Sequence, residues 1–156
     1  LIRGINPDLR LLYLLRNPIE RAWSSALMAL RKAELRIEEA SDQWFLDHFR
    51  SQGSLRRGDY EQTLRRWHAE FPREQLLVER FDSLTSEPRA LLGRVAAHLG
   101  VAAEPLRSLP DALVDARVYH GPGTSIRPAL RPALEDLYGP RIESLSAYLQ
   151  RPLAWT

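Results

Sequence analysis

Arg10-Leu11-Leu12-Tyr13-Leu14-Leu15-Arg16-Asn17-Pro18-Ile19-Glu20-Arg21-Ala22-Trp23-Ser24 is the stretch on which the fold turns. Its first part is a continuous apolar run rather than an alternating one. That is the pattern of a strand buried on both faces of a parallel sheet. The run stops at Arg16. Asn17 suits a helix N-cap, where its side-chain oxygen can take a free N–H, and Pro18 has no N–H to leave unpaired at the first helical position. Glu20 favours the positive end of the helix dipole, so a helix is expected from Pro18 towards Ala40. The order is strand, tight turn, helix. In open α/β sheets such a turn lies at the carboxyl end of a strand, where ligands bind.

Downstream, Ser41-Asp42 restarts a short helix through Trp44, Phe45, His48 and Phe49, and the polar segment from Arg50 to Gly58 is expected to be loop. Asp59 and Gln62 resemble a capping box, and Tyr60, Leu64, Trp67 and Phe71 then fall on one helical face until Pro72. Gln75 to Phe81 is the second strand candidate. Ser86-Glu87-Pro88 opens a long helix carrying Leu91, Leu92, Val95, Ala96 and Leu99, with Gly100 as its C-terminal cap. From Val101 to Pro132 periodicity gives way to a stretch rich in Pro, Gly and Arg, too long for an idle connector. A helical hairpin or kinked helix around Pro140 closes the chain.

Composition bounds what this organisation can do. The 156 residues have room for one compact domain, and 22 Lys plus Arg against 20 Asp plus Glu give a net charge of only +2. That balance argues against nucleic acid as a partner, so any anion site is local. There is no cysteine and a single lysine, Lys32. Thiol nucleophiles and Cys-based zinc sites are excluded, and His48, His68, His98 and His120 have no metal-ligand spacing, so no metal is expected. No apolar run reaches the roughly 20 residues that span a bilayer. The chain begins at Leu1 without Met and without a signal layout, which is expected of a fragment.

The sharpest candidate for chemistry is the Arg16 to Ser24 segment. On a helix capped at Asn17, residues 17, 21 and 24 share a face, and side chains lean back towards the N-terminus. Arg16, Arg21 and Ser24 would then aim at one mouth. An arginine fork, the free N–H groups of a helix start and a hydroxyl make a phosphate site. The alternative is an ordinary ion pair of Arg16 with Glu20 or Asp59, with Ser24 a surface residue. The charge run from Arg31 to Glu39 fits a solvated helix face with i,i+3 and i,i+4 pairs. Tyr60, Trp67 and Phe71 fit a core stripe, with Tyr60 the one candidate for lining a cleft. His48 and His68 fit half-packed helix groups rather than bases.

Pro7-Asp8, the apolar strand and Arg16-Asn17-Pro18-Ile19-Glu20-Arg21-Ala22-Trp23-Ser24 resemble the 3′-phosphate-binding segment of sulfotransferases that use 3′-phosphoadenosine 5′-phosphosulfate (PAPS). Later phrases agree with that family in order: Gly58-Asp59-Tyr60, Gln75-Leu76-Leu77-Val78, Phe81-Asp82-Ser83-Leu84, His98-Leu99-Gly100 and Leu137-Tyr138-Gly139-Pro140. The resemblance implies that Arg16 and Ser24 grip the 3′-phosphate. Two departures stand out. The family's Pro-Lys-x-Gly-Thr-Thr-like 5′-phosphosulfate loop is absent, and Lys32 does not replace it, so no catalytic residue is assigned here; the lysine and the base are expected upstream of Leu1. The family's late Lys-Gly-Arg phrase is replaced by Tyr119-His120-Gly121-Pro122-Gly123-Thr124-Ser125-Ile126-Arg127. In that loop Arg127 is a candidate second phosphate contact, Arg131 offers another fork, and Tyr119 could stack on a base or simply pack; the equal alternative is a surface connector with solvated arginines.

The expectation is therefore a P-loop-like three-layer α/β sulfotransferase fold with a parallel sheet, incomplete at its N-terminus and helix-rich in the part present. Residues 1–156 would form the C-terminal part of one such domain. The implied activity is transfer of a sulfuryl group from PAPS, without a metal, to a hydroxyl or amine acceptor, a saccharide or another hydroxylated metabolite, with a cytoplasmic location. Alone, the fragment is expected to be inactive. Two other readings stand beside it: a non-catalytic sulfotransferase-like interaction module that has lost its donor loop, and a P-loop nucleotide kinase, whose Gly-x-x-x-x-Gly-Lys-Ser/Thr phrase is equally absent.

Overall fold

The computed structural model describes residues 2–116 and 123–155. In chain order it contains helix α1 (Ile2–Ile5), strand β1 (Leu11–Leu15), α2 (Pro18–Lys32), α3 (Asp42–Arg50), α4 (Gln52–Gly58), α5 (Tyr60–Glu70), β2 (Leu76–Arg80), α6 (Ser83–Ser86), α7 (Pro88–Leu99), α8 (Glu104–Arg107), α9 (Asp111–Val114) and α10 (Arg131–Leu149). Short 3-10 turns cover Ile37–Glu39, Arg73–Gln75 and Pro128–Leu130. The fold is a helix-rich α/β arrangement around a small parallel sheet. β1 and β2 pair in parallel with Leu11 opposite Leu76 and Leu15 opposite Arg80.

The chain divides into two compact units. Unit 1 comprises Leu1–Arg16 and Leu64–His120; unit 2 comprises Asn17–Thr63 and Gly121–Thr156.

Unit 1 is built on the two strands. Phe81 N–H continues the ladder to Leu15 O at 2.7 Å. Only Leu15 of β1 is fully buried, and Leu12 is 43% exposed, so the apolar run is not covered on both faces as expected. Among the described residues β1 has one sheet neighbour, β2. Helix α7 packs against β2, and Arg94 fastens the two. Its Nε and Nη2 form a bidentate pair with Glu79 at 2.7 and 3.1 Å, and Nη2 also reaches Glu87 at 3.1 Å. Those hydrogen bonds, with one from Ser83 to Glu87 at 3.1 Å, hold the Glu87 carboxyl below the ordinary range. Gly100 ends α7 in the left-handed conformation (φ 70°), as its position predicts.

Unit 2 is helical. Its core joins Ile19, Ala22, Trp23, Ala26 and Leu30 of α2 to Phe45 and Phe49 of α3, to Ile126 and Leu130, and to Leu134 and Tyr138 of α10. Trp23 packs on Phe45 with ring centroids 5.0 Å apart and donates its indole N–H to Thr124 O at 2.7 Å. A buried indole needs such a partner.

Three expectations are corrected here. First, α2 stops at Lys32 rather than near Ala40. Leu35 N–H bonds Leu30 O at 3.0 Å and Glu34 N–H bonds Arg31 O at 3.2 Å, a Schellman pattern with Glu34 at φ 57°. From Ala33 onward the charge run therefore lies beyond a helix end, where Arg36 pairs with Glu39 at 3.6 Å. Second, residues 52–58 form helix α4, because Ser51 accepts a hydrogen bond from Ser54 N–H at 3.2 Å and so caps it. Third, the stretch after Val101 contains the single-turn helices α8 and α9. α10 continues through Pro140 as one helix rather than as a hairpin.

Candidate functional site

The site begins where β1 ends. Arg16 is half-buried, and its guanidinium carbon lies 5.4 Å from the centre of the Phe81 ring. That contact follows from strand register: with Leu15 opposite Arg80, the next residues along the strands are Arg16 and Phe81. A guanidinium over an aromatic face is held in place while its N–H edge stays free. No hydrogen bond or ion pair occupies it among the described residues.

Asn17 caps α2 as its identity predicts, with Oδ1 accepting Ile19 N–H at 2.9 Å. The cap changes the expected anion site. Pro18 has no N–H, Ile19 gives its own to Asn17 Oδ1, and Arg21 N–H bonds Asn17 O at 2.9 Å. The first turn therefore offers an anion at most the Glu20 N–H. Ser24, two turns into α2, is half-buried, and its hydroxyl has no hydrogen-bond partner among the described residues.

Arg21 is engaged within unit 2. Its Nη2 donates to Ser54 O at 2.9 Å and to Tyr138 OH at 3.1 Å, and the guanidinium carbon lies 5.8 Å from the centre of the Tyr138 ring. Tyr138 is fully buried, and its hydroxyl is also 3.0 Å from Ser54 Oγ. Arg21 therefore ties α2 to α4 and α10 inside unit 2. Gly58 completes the arrangement. A Cβ on Gly58 would lie 2.5 Å from Tyr138 Cε1, so the Gly58-Asp59-Tyr60 phrase has a steric origin. Tyr60 is only 6% exposed and packs edge-on against Trp155, which makes it core rather than a cleft wall.

Arg127 is placed differently from Arg16. Its Nη1 donates to Asp42 Oδ1 at 2.6 Å and its Nη2 to Ile37 O at 2.5 Å, and its carbon sits 4.7 Å from the Phe45 ring centre. The guanidinium anchors the segment after residue 123 to α3. Arg131 pairs with Glu135 at 3.6 Å. Lys32 is not mid-helix but the last residue of α2. Tyr119 and His120 lie outside the described residues. Burial, followed by Arg57 and Arg21, lowers the His48 pKa; burial, followed by Arg73, lowers that of His68. Among the described residues no group of three or more His, Asp or Glu could hold a metal, and no helix is long and apolar enough to cross a membrane.

The structural roles of Arg21 and Gly58 are not legible in the sequence alone. The glycine in the Gly58-Asp59-Tyr60 phrase was the available signal, but its reason, the approach of Tyr138, lies 80 residues away.

The family described as sulfotransferase domain matches residues 3–116, and the chain belongs to that family. A crystal structure of a sulfotransferase from Alicyclobacillus acidocaldarius is similar to it, with a TM-score of 0.73 and 26% sequence identity. The match covers 99% of this chain and 60% of that one. No curated protein sequence matches.

Proposed function

We propose that this chain belongs to an enzyme that moves a sulfuryl group from PAPS to a hydroxyl or amine acceptor, and that it grips the 3′-phosphate of the donor. Residues 1–156 would be the C-terminal part of the catalytic domain. The observation that carries this reading is the Arg16 guanidinium, held over Phe81 at the carboxyl end of β1 with no hydrogen bond or ion pair among the described residues. A half-buried cation without a counter-charge fits an anionic ligand.

In this reading Arg16 donates two N–H groups to phosphate oxygens, and Ser24 donates its hydroxyl from α2. Together they orient the nucleotide, so that the sulfuryl group meets its acceptor in line. Orientation of this kind supplies a large share of the rate in group transfer. Lys32 has no part, because it closes α2 at the far end from Asn17. Arg127 enters as a third contact, and to serve it Nη1 must exchange the Asp42 carboxylate for a phosphate oxygen.

The test is calorimetric binding of 3′,5′-ADP by the full-length protein. A charge-assisted contact contributes about 1.5–3 kcal/mol, so Arg16→Ala should raise Kd at least about tenfold. Ser24→Ala removes a neutral donor and should raise it by about threefold to tenfold. An Arg16→Ala protein that binds 3′,5′-ADP as tightly as the parent would remove the assignment and favour an interaction module.

A further inference from the structure

In unit 1 the ends of β1 and β2 set an aromatic ring against the cation on which the donor reading depends. Leu14 stands opposite Glu79 and Leu15 opposite Arg80, and Phe81 N–H carries the ladder on to Leu15 O at 2.7 Å. Side chains alternate along a strand, so Arg16, Glu79 and Phe81 leave the sheet on one face. That face gives Arg16 two neighbours, the Phe81 ring directly across and the Glu79 carboxylate on the diagonal, a spacing that long side chains can bridge. Arg16 takes the ring, with 5.4 Å from guanidinium carbon to ring centre.

Glu79 is already engaged. Arg94 of α7 holds both of its carboxylate oxygens, Nε to Oε1 at 2.7 Å and Nη2 to Oε2 at 3.1 Å. The difference matters for anion binding. A carboxylate on Arg16 would consume the paired N–H groups that a phosphate needs, and an incoming anion would have to displace it. A ring consumes none of them, because it attracts the cation through its negative face and leaves the donor edge free. Phe81 is 40% exposed, so little of the stability of unit 1 rests on it.

We infer that Phe81 is a positioning residue for sulfuryl transfer: its ring holds the Arg16 guanidinium ready for the 3′-phosphate of the donor and does not itself touch the nucleotide. The inference rests on the proposed reading of Arg16 as the 3′-phosphate contact. It adds that affinity for this phosphate depends on an aromatic face at position 81. Tyrosine serves there and leucine does not, although leucine keeps the apolar packing.

The experiment measures Kd of 3′,5′-ADP and of 5′-AMP, which lacks the 3′-phosphate, by calorimetry on the full-length protein. The proteins are the parent, Phe81→Leu, Phe81→Tyr, Arg16→Ala and Phe81→Leu/Arg16→Ala, with urea midpoints recorded beside them. Phe81→Leu should weaken 3′,5′-ADP by about threefold to fivefold with its midpoint nearly unchanged, and Phe81→Tyr should bind as the parent does. In the Arg16→Ala background Phe81→Leu should cost nothing more, and 5′-AMP should not register the change at all. An equal loss in that background, or for 5′-AMP, would mean that the ring contacts the nucleotide directly, and the inference fails. It fails too if Phe81→Leu binds 3′,5′-ADP as the parent does, or if Phe81→Tyr is as weak as Phe81→Leu, while Arg16→Ala alone weakens binding; the reading of Arg16 then survives. An Arg16→Ala protein with parental affinity overturns both.

Discussion

Replacing Gly58 by alanine is the severest small change that the structure of unit 2 predicts. The new Cβ would stand 2.5 Å from Tyr138 Cε1, 3.1 Å from Cδ1 and 3.4 Å from an Arg21 Nη. Ordinary contact needs the ring to retreat by about 1 Å, which in a close-packed interior costs about 1–3 kcal/mol. The ring cannot retreat alone, because its hydroxyl holds Ser54 Oγ at 3.0 Å and Arg21 Nη2 at 3.1 Å. Straining those bonds adds about 1–2 kcal/mol, and the better helix propensity of alanine returns about 1 kcal/mol. The net loss should be about 2–3 kcal/mol, measured by urea denaturation. Gly93→Ala in α7 is the control: nothing lies within 4 Å of its Cβ, so it should stabilise by about 0.5–1 kcal/mol. Trimming the obstacle in Gly58→Ala/Tyr138→Leu should cost less than the two single changes summed. A Gly58→Ala protein as stable as its parent would refute the steric account of this glycine.

Other changes separate binding from folding. Arg127→Ala should lower stability by about 1–2 kcal/mol, since it strips Asp42, Ile37 O and the Phe45 face of one partner, whereas Arg16→Ala should leave the urea midpoint nearly unchanged while weakening 3′,5′-ADP. Asn17→Ala should cost about 1 kcal/mol by freeing the Ile19 N–H, measured in the same denaturation. Acidification from neutral pH through the ordinary histidine range should destabilise the fold. His48 and His68 have lowered pKa values, so the unfolded chain binds more protons there, and His48→Gln should flatten that slope. At lower pH the Glu87 contribution disappears as its depressed carboxyl is protonated, and Arg94→Gln should weaken this second dependence, leaving the part due to Ser83 and Arg80.

Local chemistry made much of this legible from sequence. Asn17 and Pro18 announce a helix start whose hydrogen bond is the one expected, and Gly100 ends α7 as a left-handed cap must. The Arg16 to Ser24 segment pointed to the family that the sulfotransferase domain match shows. What stayed hidden depends on distant residues. Glu34 ends α2 in a conformation that its side chain does not advertise. Arg21 turns away from the expected opening because Ser54 and Tyr138, 33 and 117 residues distant, accept its hydrogens. Tyr60 is buried beside Trp155, a contact that helical spacing cannot foretell. Arg127 finds Asp42 and the Phe45 ring across 80 or more residues.

The early end of α2 also bears on how this chain can vary. Residues 33–36 are exposed, Ile37–Glu39 form one 3-10 turn with Ile37 half-buried against the core, and the next buried side chain is Ala40. The stop is made by two backbone hydrogen bonds rather than by a particular side chain. An insertion of a residue or two between Leu35 and Arg36, ahead of Ile37, which packs on the core and accepts from Arg127, would therefore be absorbed on the surface without shifting the core faces of α2 or α3. Length differences among sulfotransferase-domain proteins should gather in this stretch, and a peptide tag inserted there should be tolerated.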